Sequence, residues 1–339
     1  MLIELALGTV GIAMLVGGGE FLVKGAASLA RSAGISPLLV GLTVVAFGTS
    51  TPELAVSVEA ALEGSSTLAF GNIFGSNMAN IGLIIGLAAT LRPLAIDHVV
   101  ARRELPMMLL ALAAAIATAF DVFLGESTDA FARSDGVVLL LFFFVFLYYT
   151  LGDLARQRND HRASRALAKE MAEAGASAAG DQPGEEAFGV LKSLGLLALG
   201  LSGLIYGASL VVDSAVDVAR ALGVPEVAVG LTLVAVGTSI PELVASLVAI
   251  WRNNLAIAVG GIVGSNIFNT LLVTGVTAAI RPMPIPAGGH LDLAATAALS
   301  LLLFLVSRTP DQRIVRREGL CLLALWSAYV SARFFYLEP

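Results

Sequence analysis

GLTVVAFGTSTPEL at residues 41–54 returns as GLTLVAVGTSIPEL at 230–243, and GNIFGSNMAN at 71–80 returns as GGIVGSNIFN at 260–269. Residues 41–93 align with 230–282 at a fixed offset of 189, without gaps, and 25 of the 53 pairs are identical. Even Arg92-Pro93 recurs as Arg281-Pro282. Chance does not give such agreement, so the chain carries an internal duplication. The motifs are embedded in long apolar runs, which makes the duplicated unit a membrane segment.

Composition agrees. Of 339 residues, 57% are hydrophobic and 14% charged, with a mean hydropathy of +0.87. A soluble domain carries about 25% charged residues. A bilayer core about 30 Å thick is crossed by roughly 20 apolar residues of helix. Membrane β-barrels show short alternating segments of about ten residues instead. The expected fold is all-α and polytopic. Ten spans are predicted, near 2–30, 36–62, 67–90, 104–124, 135–152, 189–219, 225–250, 255–278, 291–307 and 319–337.

Each copy of the duplication then holds five spans. Five is odd, so the second copy must enter the membrane the opposite way up. Such inverted repeats mark secondary transporters, with the binding site near the midplane between the repeats. The expected division is 1–152 for the first repeat, 153–188 for a solvated, polar linker with some helix and 189–339 for the second repeat. Of the 20 Lys and Arg, 14 collect on the side of the linker and four on the other. By the excess of basic residues in cytoplasmic loops, the linker is expected inside the cell and both termini outside. The membrane is expected to be the plasma (inner) membrane.

Other functions are disfavoured by what the chain holds. The net charge is −6 with no basic patch, so no nucleic-acid partner is expected. The one cysteine, Cys321, permits no disulfide framework, and His98, His161 and His290 all fall in predicted loops. No HExxH, GxSxG or GxGD motif supports an intramembrane enzyme. No cofactor is expected.

The chemistry concentrates in the repeated motifs. Gly48-Thr49-Ser50-Thr51-Pro52-Glu53 and Gly237-Thr238-Ser239-Ile240-Pro241-Glu242 place hydroxyls, a proline and a carboxylate in mid-span. Proline lacks an N–H and clashes with the carbonyl four residues back, so the helix should break there. Freed carbonyls at that depth are tolerated only inside protein or beside a wet cavity. Thr49 and Glu53, and Thr238 and Glu242, are four apart and should point inward together. Ser76 and Asn80, and Ser265 and Asn269, share that spacing. Gly71, Gly75, Gly260 and Gly264 should allow close backbone approach. These donors are all oxygens, which suits hard cations such as Ca²⁺ and Na⁺. An ionised carboxylate in mid-membrane is expensive and marks an ion path by default. Glu20 and Lys24, four apart in the first span, are expected to neutralise each other.

The paired GTSxPE and GSNxxN segments resemble those of the cation/Ca²⁺ exchanger superfamily, specifically its prokaryotic sodium/calcium exchangers. The resemblance spans both repeats. It implies alternating access, with one Ca²⁺ exchanged for several Na⁺, commonly three, while the first and sixth helices slide past the rest. Carried over position by position, it makes Glu53 and Glu242 the central ligands. Thr49, Ser50, Thr238 and Ser239 would supply hydroxyl or carbonyl oxygens, and Ser76 and Ser265 hydroxyls. Asn80 and Asn269 would complete the ring, and Ala46 and Ala235 would offer backbone carbonyls. Asn269 departs from the pattern, since some relatives carry aspartate there. The expected partners are Ca²⁺, Na⁺ and the lipid bilayer, with a monomeric state left open. Two rivals remain at this point: a Ca²⁺/H⁺ antiporter on the same scaffold, and a cation channel.

Overall fold

The computed structural model describes residues 2–120, 129–173, 188–221, 237–309 and 311–336. Helices dominate: α1 (Leu2–Ala33), α2 (Pro37–Glu63), α3 (Ser66–Leu91), α4 (Leu105–Ala119), α5 (Arg133–Glu173), α6 (Val190–Ala221), α7 (Ile240–Trp251), α8 (Leu255–Ile280), α9 (Gly289–Ser307) and α10 (Arg316–Tyr336). Seven helical stretches among the described residues are long and apolar enough to cross a membrane, within α1, α2, α3, α5, α6, α8 and α9. The fold is that of an all-α polytopic membrane protein.

The centre of the bundle is made by the duplicated helices. α8 is 89% buried and α3 78%, against 33% for α1. α3 and α8 cross antiparallel: Asn77 Nδ2 donates to Thr270 Oγ1 at 3.0 Å, and Asn80 Nδ2 to Asn266 Oδ1 at 3.5 Å, so one chain rises as the other falls. α2 lies against α8, where a Cβ on Gly260 would meet the Leu38 carbonyl at 2.7 Å and one on Gly264 the Leu42 carbonyl at 2.7 Å. Close approach was expected of Gly71 and Gly75 as well. By the 189-residue offset their counterpart partners fall among residues 227–235, outside the described residues.

Flanking this centre, α1 and α6 run antiparallel along each other. A Cβ on Gly18 would sit 2.7 Å from Leu204 N, and one on Gly200 2.4 Å from Leu22 N. With no hydrophobic drive between helices in lipid, such small-residue contacts supply the packing.

Two short β-ribbons tie the copies together. β1 (Leu94–Ala95), after α3, pairs antiparallel with β4 (Arg313–Ile314), before α10. β3 (Met283–Pro284), after α8, pairs with β2 (Ala130–Phe131), before α5. The helices repeat the exchange. α10 packs on α3, with a Cβ on Gly86 meeting Leu323 N at 2.9 Å, and α5 packs on α8, with a Cβ on Gly275 meeting Leu140 Cγ at 2.9 Å. Because α3 and α8 are antiparallel, the ribbons lie at opposite ends of the bundle. The β1–β4 end also gathers Arg92 bonded to Asn253, and Ser36, whose N–H donates to Gln157 Oε1 at 2.9 Å. The β2–β3 end gathers Asp129 with His290.

α5 continues past 152 to Glu173, so the first part of the linker is the helix expected within it. Two local readings of the sequence are corrected. His161 lies within α5, and His98 and His290 lie in first helical turns, not in loops. Glu20 pairs with Arg252 (Nη2 to Oε2 2.6 Å), not with Lys24, which instead approaches the Phe188 ring at 5.5 Å. Tertiary packing brings α1 alongside the end of α7, and a guanidinium there outcompetes the helical neighbour.

Candidate ion-binding site

The site forms where α2 and α7 break. The first half of α2 ends at Thr49, Ser50 has φ −81° and ψ 1°, and helix resumes at Thr51. In the copy, Thr238 and Ser239 form a turn and helix resumes at Ile240. The break was expected at the prolines. It falls just before them, with Pro52 and Pro241 in the first turn of the resumed helix. There the missing N–H is one that would be unpaired anyway. The same geometry puts Glu53 and Glu242 in the first turns of the two resumed helices. Helix N-termini favour negative charge.

Both carboxylates are buried, Glu53 completely and Glu242 to 3% exposure. No described Lys or Arg forms an ion pair with either. Glu53 Oε1 accepts from Ser76 Oγ at 3.5 Å, while Glu53 Oε2 and both oxygens of Glu242 have no hydrogen-bond partner among the described residues. Isolated buried anions are costly, and a cation is the direct way to compensate them.

The remaining donors surround this pair unevenly. Ser239 Oγ and Ser76 Oγ are 3.1 Å apart, and Thr49 Oγ1 and Ser265 Oγ 3.3 Å apart, so hydroxyls from opposite copies meet twice. Ser50 is buried with its hydroxyl unpartnered. Thr238 Oγ1 donates to Asn72 Oδ1 at 3.1 Å. The Ala46 carbonyl already accepts from Ser50 N at 2.9 Å and from Thr49 Oγ1 at 3.4 Å. Ala235 lies outside the described residues.

Asn80 and Asn269 do not simply continue the faces of Ser76 and Ser265. Each sits in a π-helical turn, Ala79–Ile85 and Asn269–Val273, where the bonding slips from i+4 to i+5. Asn80 reaches Asn266, with its own Oδ1 unpartnered, and neither side-chain polar atom of the fully buried Asn269 is bonded. Such turns recur at functional sites.

Four residues were not singled out from the sequence. Asn77 and Asn266 lie inside the repeated GSN and were passed over for the next asparagine. Thr270 has no hydroxyl counterpart, since position 81 is isoleucine. Asn72 is the most connected. Its Nδ2 donates to the Glu53 carbonyl at 3.1 Å and to Ser57 Oγ at 2.8 Å, and its Oδ1 accepts from Thr238. A buried asparagine in mid-span was the available signal.

Fold and site together define a polytopic helical membrane protein built around two buried, unpaired carboxylates in an all-oxygen setting. The family model described as sodium/calcium exchanger protein matches residues 3–152 and 192–335, and the chain belongs to that family. The chain is 35% identical to the putative antiporter CaxA of Alkalimonas amylolytica over 97% of its own length and 98% of that protein's. It is 34% identical to the inner membrane protein YrbG of Escherichia coli K12 (100% and 99% covered), and 31% identical to the sodium/calcium exchanger MaX1 of Methanosarcina acetivorans (96% and 97% covered). A structure of the sodium-calcium exchanger NCX_Mj, soaked with 2.5 mM Na⁺ and 0.1 mM Ca²⁺, superposes with a TM-score of 0.79 at 30% identity, covering 98% of this chain and 99% of that one.

Proposed function

We propose that the chain is a secondary antiporter that exchanges Ca²⁺ for Na⁺ by alternating access, its ions bound between two inverted five-helix repeats of ten spans in all. The observation that carries this reading is the pair Glu53 and Glu242. They occupy the same position of two copies and are buried without basic partners among the described residues, Glu53 bonded by the Ser76 hydroxyl and Glu242 sharing a cavity wall with Thr49 and Ser246. Two ionised carboxylates supply −2, which one Ca²⁺ or two Na⁺ neutralise, so the two ions compete for one site. Ser76 and Ser239, and Thr49 and Ser265, provide hydroxyls on both sides, with Ser50, Thr238, Asn80 and Asn269 completing the set. The antiparallel crossing of α3 and α8 supports the inverted relation. The excess of basic residues at the β1–β4 end supports a cytoplasmic linker and outward termini in a plasma membrane. Transport on this reading needs no cofactor and is not enzymic.

Ca²⁺/H⁺ exchange is the second reading, because the same carboxylates can carry protons. The deciding experiment is ⁴⁵Ca²⁺ uptake into proteoliposomes under an imposed Na⁺ gradient or an imposed pH gradient. The expected result is uptake driven by Na⁺ alone. Uptake driven only by the pH gradient selects the H⁺ reading, and Ca²⁺ leakage without any counter-ion selects a channel. If three Na⁺ move per Ca²⁺, one net charge crosses per cycle, and 100 mV biases it by about 2.3 kcal/mol. A K⁺/valinomycin potential then changes the Na⁺-driven flux strongly.

A further inference from the structure

Asn72 and its counterpart Gly261 are the point at which the two copies part in the middle of the site. In the first copy, Asn72 bonds the Glu53 carbonyl, Ser57 Oγ and Thr238 Oγ1. Shifted by 189 residues, those four positions are Gly261, Glu242, Ser246 and Thr49. All four line one small cavity, together with Leu22 and Val23 of α1 and Ile257 and Ala258 of α8. A Cβ at 261 would stand 3.5 Å from Val45 Cγ1, another residue of the cavity wall, so an asparagine there would extend toward it.

Its walls are not purely apolar. Glu242 contributes a carboxylate with neither oxygen hydrogen-bonded, and Thr49 and Ser246 contribute hydroxyls. Apolar cavities stay dry, whereas cavities with several polar partners hold water. Its position is also defined. Ile257 and Ala258 lie in the first turn of α8, and Ser246 lies between Glu242 and the Trp251 end of α7. The cavity therefore sits on the β1–β4 side of Glu242.

We propose that the Asn72–Gly261 difference makes the two approaches to the site unequal: Asn72 seals the approach to Glu53 by clamping α2 to α3, while Gly261 leaves a hydrated passage to Glu242 that opens toward the β1–β4 end. Asn72 acts as a positioning residue, and Gly261 sets where cations enter and leave in this state. The identity of those cations rests on the exchange reading, but the accessibility does not.

The test is thiol accessibility in a chain whose one cysteine, the exposed Cys321, is replaced by serine. Ser246→Cys and Ser57→Cys are introduced separately and exposed to the permanently charged, impermeant 2-(trimethylammonium)ethyl methanethiosulfonate in right-side-out and inverted vesicles, with modification read by mass. Ser246→Cys is expected to react at least tenfold faster than Ser57→Cys, and from one face of the membrane only. Adding Gly261→Asn should slow it to the rate of Ser57→Cys. The first side-chain atom has room, since a Cβ at 261 meets only Val45 Cγ1, at 3.5 Å. Gly261→Ala, which fills little and cannot form the bonds, should leave the rate high. Asn72→Gly should raise the rate at Ser57→Cys, so the proposal stays testable if Gly261→Asn fails to fold. Equal rates at the two cysteines, or rates indifferent to residues 72 and 261, overturn it. Ca²⁺ flux under Na⁺ and pH gradients, measured on the unmodified chain, decides the exchange reading separately.

Discussion

In the first copy of the repeat, the Glu53 carboxylate takes a hydrogen bond from Ser76, and its backbone carbonyl takes one from Asn72. In the second, both carboxylate oxygens of Glu242 lack a partner, and a cavity stands where Asn72 has no counterpart. Away from the site the copies behave alike: α10 on α3 mirrors α5 on α8, and β1–β4 mirrors β3–β2. The lesson is that symmetry is kept where it packs the bundle and relaxed where ions would be handled. One carboxylate is built into its surroundings and the other is left to be satisfied by what enters.

The largest expected effect tests what the two glutamates share. Glu53→Gln and Glu242→Gln keep the shape and remove a charge, and each should reduce Na⁺-driven Ca²⁺ flux to near background while the protein still inserts. Wild-type-like flux in either variant breaks the equivalence. The same pair sharpens the contrast when ions are absent. Each should raise the ion-free melting temperature, because a neutral amide relieves a buried carboxylate without a basic partner; no rise in one variant would separate the two positions.

Next comes the clamp. Asn72→Ala removes three hydrogen bonds, each worth about 1 kcal/mol, and leaves their partners buried. At about 2.1 cal/mol/K of unfolding entropy per residue over 339 residues, a loss of about 2–3 kcal/mol corresponds to a drop of about 3–4 °C. Gly261→Ala should stay within about 0.5 kcal/mol. Melting curves in detergent check both. If the two substitutions cost the same, the clamp is not specific to the first copy.

Packing should show the opposite pattern, equality. Gly86→Val and Gly275→Val each push a side chain into a neighbouring helix at a Cβ contact of 2.9 Å. Overpacking of this kind costs about 1–3 kcal/mol. The two should lower the melting temperature by similar amounts, and a clear inequality would mean that the swapped packing is not equivalent. The smallest effect concerns Glu20 and Arg252, whose side chains are 39% and 60% exposed. Glu20→Gln should change stability by less than about 1 kcal/mol, and less still at high salt.

Much of this was legible in the sequence because duplication singled out the residues twice. Glu53 with Glu242, and Ser76 with Ser265, stand out as matched pairs in apolar context. The same logic hid Asn72, whose partner position holds glycine, and Thr270, opposite isoleucine. The π-helical turns at Ala79 and Asn269 left no mark, since a one-residue slip in backbone bonding needs no particular side chain. Proline announced a break but not its position, because Pro52 and Pro241 are accommodated by starting the next helix. The extent of α5 was not legible: Arg156 to Lys169 read as a solvated linker with some helix, and such polar residues carry no apolar stripe to fix where the helix ends. Glu20 and Lys24 obeyed helical spacing, yet the partner of Glu20 came from a helix more than two hundred residues away.

The exchanged ribbons and helices also order the events of synthesis. α3 presents Gly86 to α10, and Leu94 of β1 awaits Ile314 of β4, roughly 220 residues further along. At about 5–20 residues per second, the ribosome takes some 10–45 s to supply that partner. During this interval the α10-facing side of α3 stays uncovered, and the packing around the first motif is completed only when α10 has been made.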